Sequence, residues 1–216
     1  MKEKKCIISV LKDKCLKKTS TYHHGNLKEE LLKLAVSIIQ HEGIDAVTLQ
    51  VLASKLGTSR SAIYRHFSSK DDLLHSVLEY GFNLFDEKIA PIFMQKEKSV
   101  IDRLYLMGEV YIQFAVDNPN LYRMLFGEKF QLLREETCDI EDEDEAQGFH
   151  ALVGLLIEGQ ETKQFKSQDP FMLAQIIHAQ VHGIASLHID GHMHIQDNLS
   201  KLYEVSFKVM SEGLKV

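Results

Sequence analysis

The stretch from Thr48 to Lys70 places helix-capping residues and a glycine so close together that only short helices fit between them. Thr48 is suited to cap the first helix. Gly57 interrupts that helix, because a tight turn needs the left-handed backbone that glycine tolerates. Thr58 and Ser59 are both able to cap the next helix. The stretch therefore predicts two helices of barely two turns each, joined by a turn, which is the helix-turn-helix arrangement.

Small and apolar residues are placed to hold these two helices together. Ala53 permits a close approach, and Leu52, Leu56 and Ile63 supply apolar contacts. The N-terminal part of the second helix is then free to enter the major groove of DNA. Its exposed side chains are hydrogen-bonding types with no acidic member, as a surface facing phosphates requires: Ser59, Arg60, Ser61, Tyr64 and Arg65. A plain helical hairpin with a solvated polar face would show the same spacing, so spacing alone leaves both interpretations open.

The rest of the chain shows helical periodicity and no strand pattern. Apolar residues recur on one face from Leu27 to Glu42, after a capping-box start at Asn26, and a longer helix follows the Ser69 cap up to Pro91. Further helices are predicted near 99–117, 119–133, 146–160, 170–189 and 196–213. The chain has 216 residues, of which 44% are apolar, so it can bury a core without disulfides or a structural metal. We predict an all-α protein of about nine helices.

Three motifs in the first third of the chain are more specific than the helix spacing. They are Gly-Ile-Asp-Ala-Val-Thr-Leu at 43–49, Leu-Ala-x-x-Leu-Gly at 52–57, and Ser-x-x-x-x-Tyr-Arg-His-Phe-x-x-Lys-x-x-Leu-Leu at 59–74. Together they resemble the TetR family of bacterial transcriptional regulators over about residues 26–75. The resemblance implies that Tyr64 and Lys70 contact phosphates, that Phe67 lies beneath the recognition helix, and that Thr48 is a cap that clamps the backbone.

Lys70 also has a physical reason to bind phosphate. It stands at the N-terminus of the long fourth helix, where free backbone N–H groups and the positive end of the helix dipole attract an anion. His66 is expected to have a structural rather than a base-reading role. The predicted DNA-binding residues are Thr48, Thr58, Ser59, Arg60, Ser61, Tyr64, Arg65 and Lys70.

Two further motifs resemble the C-terminal ligand-binding and dimerisation domain of one TetR branch: Leu-Tyr-Arg-Met-Leu-Phe-Gly at 121–127 and Val-His-Gly-Ile-Ala-Ser-Leu at 181–187. That branch usually has tryptophan where this chain has Val181. Methionine and aromatic side chains occur on more than one side of the middle helices. This favours an internal cavity for a largely apolar ligand, although most of these positions also suit an ordinary core. Candidate cavity residues are Tyr105, Tyr111, Phe114, Met124, His178 and His182.

Charge divides the chain in two. Residues 1–75 contain 13 lysines and arginines against 8 acidic residues, whereas residues 76–216 contain 12 against 23. A basic end on an acidic body suits a protein that presents one end to a polyanion. We therefore expect a basic, mobile N-terminal extension (1–22), a helix-turn-helix domain (23–70), and an effector-binding and dimerisation domain (71–216). The lysines of the extension either lie along DNA or belong to a disordered leader; they include Lys12, Lys14, Lys17 and Lys18.

Apolar residues occupy most of the circumference of the last helix, more than one core-facing stripe explains. A second face of this helix must then be covered, and the helix at 174–188 is apolar as well. Two copies of both helices would form a four-helix bundle across a two-fold axis, so we expect a homodimer and a palindromic operator. The residues are Leu199, Leu202, Tyr203, Val205, Phe207, Val209, Met210 and Leu214 in the last helix, and Ala174, Ile177, Val181, Ile184 and Ala185 in the other.

Histidines are concentrated near the C-terminus, where five of the eleven fall between His178 and His194. His178 and His182 are four residues apart on one helical face, which is a usable metal-chelating spacing, and His192 and His194 could add a ligand. The other interpretation places the first two in a pocket or dimer contact and the rest on a surface turn. The acidic run at 141–145 lacks the glycine and spacing of a calcium loop, so we expect a solvated loop there.

Several function classes lack their motifs. The sequence has no Gly-x-Ser-x-Gly elbow, no phosphate-binding Gly-x-x-x-x-Gly-Lys and no His-Glu-x-x-His, which excludes the common enzyme types, and no cofactor is implied. A helical adaptor would not explain the polar recognition helix. Three cysteines without metal-ligand spacing and the lack of a membrane-length apolar run indicate the cytoplasm. We predict a repressor that binds a palindromic operator as a homodimer and is released by a small-molecule effector; a metal-responsive regulator is the alternative.

Overall fold

The computed structural model describes residues 27–133, 147–193 and 198–215, and helices make up most of these residues. The prediction of an all-α fold is confirmed. The helices are α1 (Leu27–Glu42), α2 (Leu49–Lys55), α3 (Arg60–Tyr64), α4 (Lys70–Phe93), α5 (Val100–Asp117), α6 (Pro119–Phe126), α7 (Gln147–Glu161), α8 (Pro170–Ile189) and α9 (Leu199–Leu214), with short 3-10 turns at Ile44–Ala46 and Glu128–Phe130. The expected extension at 1–22, the Asn26 cap, the acidic run at 141–145 and His194 lie outside the described residues.

The caps predicted for the short helices are present. The Thr48 hydroxyl accepts a hydrogen bond from the Val51 N–H at 3.1 Å, and the Ser59 hydroxyl accepts one from the Ala62 N–H at 3.2 Å. Between them, Gly57 has a φ of 62°, the left-handed conformation that the turn requires. Helix α2 has seven residues and α3 has five, so both are short, as the sequence predicts.

A continuous apolar core fixes α3 to α1 and α4. Ile63 and Phe67 are fully buried, and so are Leu31 on α1 and Leu73 on α4. Because buried residues at 62, 63 and 67 all lie on one side of the segment, the polar residues between them are turned to solvent. The orientation of the short helix is therefore set by apolar burial rather than by its own two turns.

Helix α4 begins as predicted and ends later than predicted. The Ser69 hydroxyl caps it by accepting from the Asp72 N–H at 3.0 Å, and the Asp72 carboxylate accepts from the N–H of Ser68 at 2.7 Å. The helix continues two residues beyond Pro91 to Phe93. A proline this close to the C-terminus removes one backbone hydrogen bond from the last turns, so its cost there is smaller than in the middle of a helix.

Helix α5 lies at the centre of the body and packs against α4, α6, α7, α8 and α9. Gly108 makes the contact with α9 possible, since a Cβ at this position would lie 2.0 Å from the Tyr203 hydroxyl. That hydroxyl donates to the backbone oxygen of Tyr105 at 2.9 Å. The Tyr203 side chain of α9 is thus hydrogen-bonded directly to the backbone of α5.

The prediction of one helix over 119–133 is wrong. Helix α6 ends at Phe126, where Gly127 takes an extended backbone with ψ of 154°, and a 3-10 turn at Glu128–Phe130 follows. The apolar periodicity continues through the glycine, which is why sequence patterning did not reveal the break.

An ion pair between a buried arginine and a partly exposed glutamate joins α5 to α7. Arg103 is 2% exposed, and its guanidinium bonds the Glu158 carboxylate through two nitrogens, with a further hydrogen bond from Nη1 to the Phe93 backbone oxygen at 3.3 Å. Lys96 reaches the same carboxylate from the solvent side at 2.6 Å. These hydrogen bonds, chiefly those from Arg103, lower the pKa of Glu158 to about 2.

We expect Glu158→Ala to lower the free energy of unfolding by about 3 kcal/mol, because the Arg103 guanidinium would stay buried without a counter-charge. Lys96→Ala is the matched control; it removes the exposed partner and should cost less than about 1 kcal/mol. The stability that the pair contributes is present above the ordinary glutamate pKa and should be lost as the pH falls from about 4.5 toward 2. Chemical denaturation at several pH values measures both effects, and equal losses in the two variants would contradict the assignment.

Candidate functional site

The candidate DNA-binding residues of α3 lie on its solvent side. Arg60, Ser61, Tyr64 and Arg65 are exposed, and the Tyr64 side chain keeps 56% of its surface open to solvent. Ser59 is exposed as well and combines its capping role with a 2.9 Å contact to the Ser61 hydroxyl. An exposed tyrosine flanked by two arginines presents both an apolar ring and hydrogen-bond donors to a partner.

The remaining candidate residues flank this helix. Thr48 and Lys70 are exposed, and Thr58 is partly buried in the turn. Lys70 is the first residue of α4, as predicted. His66 was expected to be structural, but its side chain is exposed, so the core does not require it. Phe67 is fully buried, and Lys28 of α1 lies 5.9 Å from the centre of its ring.

Polar contacts connect α1 to the body. The Gln40 side-chain amide near the end of α1 donates to the Asn118 side-chain oxygen at 2.5 Å, and the Asn120 amide donates to the Gln40 backbone oxygen at 3.2 Å. Farther along α6, Arg123 donates to the Asp190 carboxylate at 2.8 Å and to the Ile189 backbone oxygen at 2.7 Å. Helix α6 therefore contacts the N-terminal helices at one end and the end of α8 at the other.

A cavity of about 150 Å³ lies within the body, with walls from α4, α5, α6, α7, α8 and α9. Most of its lining is aliphatic or aromatic, which suits a largely apolar ligand. The residues include Phe82, Phe85, Asp86, Ile89, Leu104, Met107, Tyr111, Phe126, Phe149, Leu152, Ile177, His178, Gln180, Val181, Tyr203, Phe207 and Met210.

Two of the six candidate cavity residues, Tyr111 and His178, line this cavity, and four do not. Tyr105 stacks on the Tyr203 ring, with centroids 5.1 Å apart. Phe114 packs behind the cavity against Phe85, at 5.1 Å between ring centroids. The other two are Met124, which is fully buried within α6, and His182, which stands behind the wall among hydroxyl groups.

A buried polar network stands behind the wall at Tyr111. The Tyr111 hydroxyl lies 3.2 Å from Nε2 of His178 and accepts from the Tyr122 hydroxyl at 3.1 Å. The Tyr122 hydroxyl lies 2.7 Å from Nδ1 of His182, whose Nε2 lies 3.3 Å from the Ser186 hydroxyl. Burial, together with the neighbouring His182, lowers the pKa of His178, so its imidazole is neutral near pH 7.

Asp86 is a cavity residue that sequence reasoning missed. It is half-buried on α4, and no hydrogen-bond or ionic partner occurs for it in the part of the chain that the structure describes. Burial raises the pKa of its carboxyl to about 6. The available signal was an acidic residue among the apolar positions Phe82, Phe85 and Ile89 of the same helix.

The structure gives no support to a histidine metal site. Within residues 27–133, 147–193 and 198–215, no three histidine, cysteine, aspartate or glutamate side chains are grouped so that they could hold a metal ion. His178 and His182 instead contact tyrosine hydroxyls. His194, the last residue of that hypothesis, is outside these ranges.

Helices α8 and α9 expose apolar side chains at one-turn spacing. Met172 and Ile176 of α8 are about half exposed, and Val205 and Val209 of α9 are 50% and 72% exposed. The α8 residues that we assigned to a dimer contact face the other way: Ala174, Ile177, Val181, Ile184 and Ala185 are all buried within the protomer. A helix that is apolar all round does not reveal from its sequence which side meets its own core.

Among the described helices, none combines the length and apolar character needed to cross a membrane.

Comparisons with known proteins place both parts of the chain. A model of the tetR family of bacterial regulatory proteins matches residues 31–77, and a model of the tetracyclin repressor-like C-terminal domain matches residues 104–210. The nucleoid occlusion factor SlmA of Vibrio cholerae is 33% identical over 115 residues, which cover 53% of this chain and 58% of that protein. The chain thus matches a little more than half the length of this curated relative.

Solved structures share the fold over nearly the whole chain. A protein of unknown function from Rhodococcus sp. RHA1 has a TM-score of 0.79 at 24% identity and covers 91% of this chain and 100% of its own. A TetR family transcription regulator from Marinobacter aquaeolei VT8 has a TM-score of 0.62 at 15% identity, covering 88% of this chain and 96% of its own. At these identities the likeness shows a common fold.

We expect Asp86→Asn to stabilise the protein at pH 7.5, by roughly 1 kcal/mol, because the ionised carboxylate is partly desolvated without a partner. The folded-state pKa of Asp86 lies above the ordinary aspartate value. The wild type should therefore become less stable as the pH rises from about 4 through about 6 and this carboxyl ionises. The other titratable residues of the cavity are the same in both proteins: His178, Tyr111 and Tyr203. Their contribution to the pH dependence of stability is therefore equal in the two proteins to first order. Melting temperatures at pH 4.5 and 7.5 test the effect; an asparagine variant less stable at pH 7.5 would show that the carboxylate has a stabilising partner.

Proposed function

The chain belongs to the TetR family and is a DNA-binding regulator rather than an enzyme, and from this we propose that it is a repressor. In our proposal it binds a palindromic operator in the cytoplasm as a homodimer and is released when a small molecule enters the body. The single observation that carries the proposal is the pairing of an exposed polar recognition helix with an apolar cavity. Helix α4 connects the two, since it begins at Lys70 and supplies Phe85 and Asp86 to the cavity wall.

We propose residues 23–70 as the DNA-binding domain and divide its contacts into two kinds. Ser59, Arg60, Ser61 and Arg65 read base edges, and Arg60 is the strongest candidate because arginine makes bidentate contacts to guanine. Their exposure around a buried Ile63 supports this assignment. The residues proposed to hold phosphates or position the chain are Thr48, Thr58, Tyr64 and Lys70.

The exposed apolar side chains of α8 and α9 support dimerisation. Contiguous apolar patches of this kind mark interaction sites on soluble proteins. A two-fold axis would place the same patch of each copy face to face and build a four-helix bundle. Two recognition helices would then meet half-sites about 34 to 36 Å apart, one helical turn of DNA.

Effector release follows from this geometry. Helix α4 is a single rigid element between Lys70 and the cavity, and α6 bonds α1 at one end and α8 at the other. A ligand that displaces the cavity wall therefore changes the separation of the recognition helices, while the half-sites stay fixed by the DNA. By linkage, the ligand must bind the DNA-free form more tightly by the factor by which it weakens operator binding.

The SlmA relatives favour a second candidate, a nucleoid occlusion factor. The match to the tetracyclin repressor-like C-terminal domain and the cavity favour the repressor. Chromatin immunoprecipitation separates the two: a repressor should occupy one or a few promoters, including the DNA upstream of its own coding region, whereas an occlusion factor should occupy many dispersed sites.

We expect Lys70→Ala to weaken binding to all DNA sequences about equally and to reduce the salt slope by about 1 to 2, because each copy of the dimer loses one phosphate contact. Arg60→Ala should instead relax base preference, at about 1 to 3 kcal/mol of discrimination. Lys55→Ala, which removes an exposed lysine paired with Glu42, is the control and should leave binding unchanged. Gel shifts at several salt concentrations distinguish these effects, and equal losses of discrimination from the first two variants would overturn the division of contacts.

We expect the wild-type protein to sediment as a dimer at micromolar concentration and Val209→Glu to sediment as a folded monomer. The substitution would place two carboxylates in the apolar contact, close to the two-fold axis. Met94→Glu is the matched control because it introduces the same charge at an apolar position that is 80% exposed and belongs to neither α8 nor α9. A wild type that stays monomeric would contradict both the dimer and the palindromic operator.

A further inference from the structure

Asp86 gives the cavity an unbalanced charge. The carboxyl stands in the cavity wall, and no cationic side chain or hydrogen-bond donor contacts it in the described chain. The backbone of Gly148 on α7 lies so close that a Cβ there would be 2.9 Å from the Asp86 Oδ1. A partly desolvated carboxylate without a partner costs free energy, and a cation that enters the cavity would offset that cost.

The other lining residues also favour positive charge over negative. No lysine or arginine occurs among the described residues that line the cavity. The His178 imidazole is held against the Tyr111 hydroxyl and is neutral near pH 7. Phe85, Tyr111 and Phe149 surround the space with aromatic rings, whose faces carry partial negative charge and attract cations. An anionic ligand would meet a carboxylate and find no counter-charge.

We infer that the effector is a compact organic ammonium ion whose charged group bonds the Asp86 carboxylate and whose apolar body lies among the aromatic rings of the cavity. This inference rests on the proposed role of the cavity as the effector site and specifies the chemistry of its ligand. A cavity of about 150 Å³ holds roughly one aromatic ring in a dry, apolar setting, so the body of the ligand is a ring with a short chain.

Three probes of nearly equal size test the charge preference. They are 2-phenylethylamine, which is cationic, 2-phenylethanol, which is neutral, and 3-phenylpropionate, which is anionic. Calorimetric titration of the full-length, DNA-free protein at pH 7.5 should show the amine binding at least 10-fold more tightly than the alcohol, with the carboxylate weakest, because a charge-assisted hydrogen bond in a low-dielectric site is strong.

Variants then assign the preference to Asp86. Asp86→Asn should reduce the ratio of amine to alcohol affinity to about one. Glu87→Gln is the matched control, since it removes one negative charge from the adjacent, exposed position of the same helix and should leave the ratio unchanged. Gly148→Ala keeps the charge but crowds the carboxylate, so it should weaken amine binding more than alcohol binding.

The outcomes separate this inference from the proposed function. Equal affinities for the three probes, tighter binding of the carboxylate, an unchanged ratio in Asp86→Asn, or no binding of any probe at millimolar concentration would overturn the ammonium assignment. Gel shifts with saturating amine test whether ligand binding in the cavity releases the protein from DNA. An amine that binds through Asp86 and leaves operator affinity unchanged would support the ligand chemistry while rejecting the role of the cavity in release from DNA.

Discussion

One helix carries buried side chains of both the N-terminal helices and the body, and the rest of the molecule is arranged around it. The first turns of α4 bury Leu73, Leu74 and Val77 with the N-terminal helices, and its later turns bury Phe85 and Ile89 in the body. A 24-residue helix is about 36 Å long, so it reaches from the N-terminal helices into the body as one element. The same helix carries Lys70 at its beginning and Asp86 in the cavity wall, which makes it a direct physical connection between them.

The features that the sequence predicted well are local ones. Thr48, Gly57, Ser59 and Ser69 set the helix boundaries through hydrogen bonds and backbone angles that involve only two to four neighbouring residues. Because these signals act within one turn, they predict two short helices joined by a turn from the chain alone. The same kind of reasoning failed at Gly127, where apolar periodicity continued across a real break.

The features that the sequence did not predict depend on residues far apart in the chain. Arg103 and Glu158 are 55 positions apart, and Gln40 and Asn118 are 78 apart, so no periodicity brings them together. The sequence also did not show which face of α8 packs against its own core. A helix with apolar residues on every side can bury any of its faces, and only the neighbouring helices decide which one. Of the candidate cavity residues, Tyr111 and His178 were identified by type. Asp86 was not among the candidates, because it becomes a cavity residue only where six helices enclose a common space.

The contact between Gly108 and Tyr203 determines how far α9 can slide along α5. The tyrosine hydroxyl occupies the space of the missing side chain and bonds the backbone one turn earlier, so a shift of one residue in either direction would drive the ring into the backbone or a neighbouring side chain. This fixes the register of the helix pair to a single value. Since Tyr203 also lines the cavity and Val205 and Val209 are exposed on the same helix, the positions of the cavity wall and of this exposed apolar surface both depend on that register. A change that repositions either of them has to move α9 as a rigid body.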